Sequence, residues 1–102
     1  MTERSVTVGV IGIDHRHIYG MLQGMLDAGA HCKGWWTEGA PQTLAGFEKR
    51  FGAMPRIAER QALLDDPEIQ LVLIAAPPAE RADLAIEAMR HGKDVMSDKA
   101  GM

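Results

Sequence analysis

The 102-residue sequence has almost no cysteine and no long apolar segment. Its single cysteine, Cys32, cannot form an internal disulfide, so the fold must rest on packing, as in a reducing compartment, and we expect a cytoplasmic location. No segment approaches the roughly eighteen consecutive apolar residues of a membrane span. The N-terminus also lacks the basic and apolar regions of a secretory signal, so we expect no export.

The sequence also lacks an excess of positive charge. Eleven Lys and Arg stand against fourteen Asp and Glu, which gives a net charge of −3. This balance provides no electrostatic footprint for a nucleic acid or an anionic membrane. Hydrophobic residues make up 46% and charged residues 25% of the chain, which is typical of a globular protein. The length predicts one domain over residues 1–102.

Short apolar runs alternate along the chain with segments whose apolar residues recur at helical spacing. The runs predict strands and the spaced segments predict amphipathic helices. The predicted strands are residues 6–11, 32–36, a short one at 56–58, 71–75 and 94–97. The predicted helices are residues 15–28, 41–52, a turn or two at 61–64, and 79–91. This order predicts a Rossmann-like α/β fold, with a parallel sheet of about five strands and helices on both faces.

The loop after the first strand is the expected place for a phosphate grip, because ligands bind at the carboxyl ends of parallel strands. In the dinucleotide fingerprint G-x-G-x-x-G, the three glycine positions hold Gly12, Asp14 and His17. Asp14 would repel a pyrophosphate, whereas protonated His15 and His17 could donate to one. The alternative is that Asp14 serves only as a helix N-cap, without any ligand. A metal site is not favoured, because His15 and His17 do not share a helix face.

Glu38 follows the second strand, about twenty positions beyond the glycine turn, where an acidic residue commonly binds the adenine ribose diol. A carboxylate there favours NAD over NADP, since it repels the 2′-phosphate of NADP. A solvated loop glutamate is the alternative interpretation. Of the neighbouring Trp35 and Trp36, which alternate faces, we expect one in the core, while the other could wall an adenine pocket.

The C-terminal half of the chain carries a family resemblance. The strand LVLIAAPP at 71–78 follows LDDPEI at 64–69, and the next helix leads into GKDVMSDKA at 92–100. This order resembles the N-terminal domain of the glucose–fructose oxidoreductase and inositol dehydrogenase family (Gfo/Idh/MocA), over essentially all 102 residues. The most diagnostic pieces are a strand ending in Ala-Pro, a helix closing in Gly-Lys and a strand leading to a Glu-Lys-Pro-type motif.

The resemblance implies an NAD-dependent oxidoreductase, with NADP less favoured, that acts on a sugar, a polyol or a related hydroxy compound. It implies that Lys99 lies near the nicotinamide and assists proton movement from the substrate hydroxyl. Asp98 stands for the glutamate of the motif and Ala100 replaces its proline. Ala76 and Pro77 match the cofactor-facing loop of the family.

Members of this family carry a second α/β domain, which supplies much of the substrate pocket, a catalytic histidine and the usual oligomer interface. The resemblance therefore implies that residues 1–102 are truncated before that C-terminal domain and that the isolated chain turns over nothing. An exposed rim would then favour self-association, so a homo-oligomer is possible. The alternative is a non-catalytic Rossmann-like module that binds a nucleotide or a protein partner. Four altered family positions favour that alternative, namely Asp14, His17, Arg81 and Ala100.

Overall fold

A computed structural model of the protein describes residues 6–14 and 16–97. Within these residues, four parallel strands form one sheet in the order β2-β1-β3-β4. The strands are β1 (Thr7–Ile11), β2 (His31–Trp36), β3 (Leu71–Ile74) and β4 (Asp94–Ser97). The predicted Rossmann-like parallel sheet is therefore confirmed.

The sheet has four strands rather than about five, because the predicted strand at 56–58 is reduced to a single bridge. Arg56 bridges to Trp35, held by the Ile57 amide, which donates to the Trp35 carbonyl at 2.7 Å. The Trp35 amide in turn donates to the Pro55 carbonyl at 3.2 Å. A helix begins at Arg60, so the chain turns away before a second pair of residues can join the sheet.

Helices cover both faces of this sheet, as predicted, because apolar side chains alternate along the strands. The helices are α1 (His17–Asp27), α2 (Leu44–Phe51), α3 (Arg60–Leu64) and α4 (Pro78–Arg90). On one face, side chains of α1 and α2 pack against Val8, Val10 and Leu73. On the other face, side chains of α3 and α4 pack against Val72 and Ile74.

The strand register brings the carboxyl ends of the strands to one edge of the sheet. Ile11 pairs with Trp36 on one side and with Ile74 on the other, and Ile74 pairs with Ser97. The loops that follow these residues are the expected ligand-binding loops of a parallel sheet. No helix in the described part of the chain combines the length and the apolar character that a bilayer crossing requires.

Candidate functional site

The glycine turn lies at the point where the strand order reverses. From β1 the chain passes to β2 on one side and then returns to β3 on the other side. The amide of Gly12 donates to the Trp36 carbonyl at 2.7 Å, and its carbonyl accepts from the Ala75 amide at 3.2 Å. Gly12 is thus bonded to both neighbouring segments, at the crevice where open α/β sheets bind ligands.

Gly12 leaves no room for a side chain at this point. Its φ angle is +89°, and a Cβ at its position would lie 2.9 Å from the Cβ of Ala76. Ala76 is buried, and Pro77 directly precedes α4. The turn after β1 and the loop after β3 therefore meet through backbone and small side chains. Such a surface allows a ligand to approach the backbone closely.

Thr43, just before α2, holds the glycine turn from one side. Its hydroxyl donates to the carbonyl of Ile13, and the hydroxyl of Tyr19 donates to the carbonyl of Thr43 at 2.9 Å. The Ile13 side chain is fully buried in the cluster beneath α1 and α2, so it is not at the surface of the crevice. The sequence did not indicate Thr43, because the contact joins residues thirty positions apart.

Two carboxylates flank the mouth of the crevice. Asp14 is exposed in the turn after β1, and Glu38 is exposed in the bend after β2. Partial desolvation raises the pKa of Asp14 above its ordinary value of 3.8; its own backbone amide opposes the rise, and the charge of Glu38 adds to it. Asp14 and Glu38 are therefore close enough to repel each other, and any anionic ligand must approach past both charges.

The interpretation of Asp14 as a helix N-cap is wrong. Helix α1 begins at His17, and the N-cap position is held by Arg16, which makes no side-chain capping hydrogen bond. Arg16 already has helical backbone angles, so the helix starts beyond the reach of the predicted cap. His17 is exposed at the first position of the helix. His15 lies outside the described residues.

Two other predicted site residues, Asp98 and Lys99, also lie outside the described residues, so their roles remain predictions. Among residues 6–14 and 16–97, no group of three or more His, Cys, Asp or Glu side chains is arranged to hold a metal ion.

Thr37 is a buried polar residue that the sequence did not single out. It follows Trp36 at the end of β2 and is 4% exposed. Its hydroxyl oxygen is buried and has no hydrogen-bond partner among the residues that the structure describes. Buried hydroxyl groups are nearly always paired, so an orphaned one at the edge of a crevice indicates a group that a ligand can satisfy.

The two tryptophans have different environments. Trp35 is buried in the core, whereas Trp36 is half-buried and lines a cavity of about 230 Å³. The guanidinium of Arg60 lies 5.4 Å from the centre of the Trp36 ring, and its Nε is 2.8 Å from Glu87 Oε1. The cavity lies between the end of β2 and α4; its other lining residues are Glu38, Glu80, Asp83 and Leu84. One tryptophan is therefore core, and the other walls a cavity beside Glu38.

An adenine dinucleotide fits these residues. The turn at Gly12 presents backbone without a side chain, Thr37 offers an unsatisfied hydroxyl, and Glu38 offers an acceptor for ribose hydroxyls. Together with the parallel sheet, they define a nucleotide-binding Rossmann domain.

The comparison with protein families agrees with this class. Residues 6–99 match the model of an oxidoreductase family with an NAD-binding Rossmann fold, and the chain belongs to this Gfo/Idh/MocA family. The predicted family is confirmed, and the chain is an NAD-binding oxidoreductase domain.

Three relatives are similar to this chain. Levoglucosan dehydrogenase from Pseudarthrobacter phenanthrenivorans is 34% identical over 62 residues, which cover 61% of this chain and 16% of that protein. A solved levoglucosan dehydrogenase in complex with NADH has a TM-score of 0.66 at 25% identity, over 92% of this chain and 27% of the other. A crystal structure of an oxidoreductase from Erwinia carotovora atroseptica has a TM-score of 0.87 at 34% identity, over 93% of this chain and 28% of the other.

The third relative is a 3-ketoreductase from Actinomadura kijaniata, solved as a mutant with TDP-benzene and NADP. Its TM-score is 0.72 at 26% identity, over 94% of this chain and 29% of the other. The chain thus spans 16% of the curated relative and less than a third of each of these solved chains.

Proposed function

We propose that this chain is the nucleotide-binding domain of an oxidoreductase that uses NAD in preference to NADP and acts on a sugar, a polyol or a related hydroxy compound. The observation that carries the proposal is the position of Glu38. It follows the strand next to the glycine turn, at the edge of the sheet where strand order reverses, and it lines a cavity with Trp36. An acidic residue at this place accepts hydrogen bonds from the ribose of NAD and repels the 2′-phosphate of NADP.

The residues around the crevice bind and orient the dinucleotide, which supplies the hydride chemistry when bound. Gly12 leaves room for the pyrophosphate, with Ala76 and Pro77 bordering the same crevice. His15 and His17 donate to the phosphates when protonated, which offsets the charge of Asp14.

The family resemblance supports a catalytic role for Lys99, which would assist proton movement from the substrate hydroxyl. Asp98 takes the place of the family glutamate beside it. Neither residue is among those that the structure describes, so both assignments rest on the sequence motif alone.

The substrate class is supported by the relatives. One is a levoglucosan dehydrogenase and another is a 3-ketoreductase, and both names indicate carbonyl–hydroxyl chemistry. The two differ in cofactor, since solved complexes contain NADH in one case and NADP in the other. For this reason the preference for NAD depends on Glu38 and not on the relatives.

Hydride transfer requires a substrate carbon held against the nicotinamide with water excluded. We therefore propose that a second, C-terminal domain completes the cleft, and that residues 1–102 alone bind cofactor without turnover. The small share of each relative that this chain spans supports this division of labour. Self-association of the whole protein and a cytoplasmic location belong to the same proposal.

Titration of the chain with NADH, followed by fluorescence enhancement, tests the proposal. We expect saturable binding that the Glu38→Ala substitution weakens by about tenfold or more, because hydrogen bonds to a charged acceptor are worth about 1.5–3 kcal/mol. Lys99→Ala should change the affinity little, because its role is in proton movement. Glu48→Ala, which removes an exposed carboxylate on α2, is the matched control and should not change it.

Three outcomes would contradict parts of this proposal. Tighter binding of NADPH than of NADH would overturn the role of Glu38. Absence of saturable binding to either cofactor would favour the non-catalytic module. Substrate-dependent formation of NADH by the purified chain would show that no further domain is needed.

A further inference from the structure

We propose that the Thr37 hydroxyl is a hydrogen-bonding group for the ADP half of the bound dinucleotide, and that the chain carries this hydroxyl unpaired when no ligand is present. The inference rests on the proposed function. It assigns a binding and stability role to a residue outside the glycine turn.

The first step is the state of the hydroxyl itself. The Thr37 side chain is 4% exposed, and its Oγ1 has no hydrogen-bond partner among the described residues. A buried hydroxyl that has lost its water and gained no partner opposes folding, since its desolvation is not compensated. Its presence therefore calls for a gain elsewhere, and strained or unsatisfied groups concentrate at functional sites.

The second step is the place of Thr37 between two expected ligand groups. Ile11 pairs with Trp36, so the next residue on each strand, Gly12 and Thr37, lie side by side at the edge of the sheet. Glu38, the expected ribose-binding residue, comes directly after Thr37 in the chain. A hydroxyl here is within the region where a dinucleotide would pass from the adenosine ribose to the pyrophosphate.

The third step is a comparison with the other threonine near the turn. The hydroxyl of Thr43 is engaged, since it donates to the Ile13 carbonyl. The Gly12 amide and the Trp36 carbonyl are also engaged, with each other. The polar groups that hold the turn together are therefore already paired within the protein, and the Thr37 hydroxyl is not needed for that purpose.

The fourth step concerns shape. Valine has the same branched outline as threonine and suits a buried position at the end of a strand at least as well. Packing alone thus gives no reason for a hydroxyl at position 37. Ribose and phosphate oxygens of the ADP half accept hydrogen bonds, and a hydroxyl donor satisfies this chemistry.

The experiment uses Thr37→Val, with Thr37→Ser as the matched control, in the full chain. Two quantities are measured: the thermal midpoint without ligand, and the dissociation constants for NADH and for ADP. We expect T37V to raise the thermal midpoint, because it removes the orphaned hydroxyl. We expect the same substitution to weaken binding of NADH and of ADP by a similar factor, roughly fivefold to tenfold. T37S keeps the hydroxyl and should bind both ligands within about twofold of the wild-type chain.

The opposite signs of the two effects make the inference testable. A lower thermal midpoint of T37V would mean that the hydroxyl has a partner within the protein and would overturn the inference. Unchanged affinity for NADH and ADP, or a loss for NADH alone, would overturn it as well. If the wild-type chain binds neither ligand, the proposed function itself fails and the inference fails with it. Wild-type binding with an unaffected T37V refutes the inference alone.

Discussion

The backbone of Gly12 and the side chain of Ala76 are in contact at the edge of the sheet. A Cβ at position 12 would lie 2.9 Å from the Ala76 Cβ and 3.2 Å from its backbone nitrogen. This contact joins the turn after β1 to the loop before α4. The floor of the crevice is therefore made of backbone and a methyl group, so both loops depend on a glycine at this position.

We expect Gly12→Ala to lower the free energy of unfolding by about 2–4 kcal/mol, measured by urea denaturation. Two costs add, because an alanine is strained at a φ of +89° and its methyl group has no space beside Ala76. Gly29→Ala is the matched control for strain alone, since Gly29 has a φ of +97° and its added Cβ would meet nothing within 4 Å.

A double substitution separates the two costs further. Gly12→Ala combined with Ala76→Gly removes the methyl group against which the new side chain would press. We expect the double variant to recover part of the loss relative to Gly12→Ala. If Gly12→Ala is no more destabilising than Gly29→Ala, the close packing of the two loops is not significant for stability.

Thr43 provides a second test of how the turn is held. Thr43→Val removes the donor to the Ile13 carbonyl and keeps the shape of the side chain. The expected loss is about 1–3 kcal/mol in the free energy of unfolding, since a partly buried carbonyl is left without its partner. Thr43→Ser retains the hydroxyl and should lose less. Equal losses in both variants would attribute the effect to packing of the methyl group.

The fold could be predicted because its signals are local. The apolar run of Leu71–Ile74 and the helical spacing of Ile18 and Leu22 are explained by burial on the two faces of one sheet. The number of strands was wrong, since the residues near Arg56 resemble a strand locally. Whether such a segment joins a sheet depends on how far the chain follows its neighbour before it turns.

The candidate site could be located but not completed from sequence. Gly12, Ala76 and Glu38 lie at the predicted edge because topology alone brings the carboxyl ends of parallel strands together. The state of the Thr37 hydroxyl depends on surroundings contributed by several segments, and no local pattern reveals it. The role of Thr43 depends in the same way on the remote Ile13 carbonyl.

Glycines within helices allow a prediction of opposite sign. Gly46→Ala places a Cβ 2.6 Å from the Tyr19 hydroxyl oxygen, which must then move away from the Thr43 carbonyl. We expect it to destabilise the chain by about 1 kcal/mol or more, despite the better helix propensity of alanine. Gly24→Ala, within α1, meets nothing within 4 Å and should stabilise by about 0.5–1 kcal/mol. Thermal and urea denaturation measure both changes; stabilisation by Gly46→Ala would contradict the contact with Tyr19.

Asp66 gives a prediction about acid stability. Its carboxylate lies 2.6 Å from Lys33 Nζ and accepts a hydrogen bond of 2.9 Å from the Glu68 amide, and these contacts hold its pKa below 3.8. A pKa that is lower in the folded than in the unfolded chain stabilises the fold above 3.8, and this stability is lost as the pH falls through the folded value. Asp66→Asn should therefore be less stable than the wild type at neutral pH.

The difference between the two chains should shrink when the pH is well below 3.8, since wild-type Asp66 is then protonated in both states. It should also shrink in high salt, because the pair is near the surface. Urea denaturation over a range of pH values measures it. Asp83→Asn, an exposed residue on α4, is the control and should not alter the acid limb. A constant difference at all pH values would mean that the charge of Asp66 is not responsible.

Asp14 gives the prediction that bears most directly on the cofactor. Its pKa is raised by desolvation and by Glu38, so its ionised form opposes folding above 3.8. Asp14→Asn keeps the size of the side chain and removes the charge. We expect a gain of up to about 0.5 kcal/mol in stability at neutral pH, which disappears at low pH where Asp14 is protonated in both states.

The same substitution should strengthen NADH binding by roughly threefold to tenfold, because one of the two negative charges at the mouth of the crevice is gone. The gain should fall as salt is added, since screening weakens the repulsion between Asp14 and the pyrophosphate. Titrations of both chains at low and high ionic strength measure this. Weaker binding by Asp14→Asn would mean instead that the carboxylate accepts a hydrogen bond from the cofactor, and that this bond outweighs the repulsion between like charges.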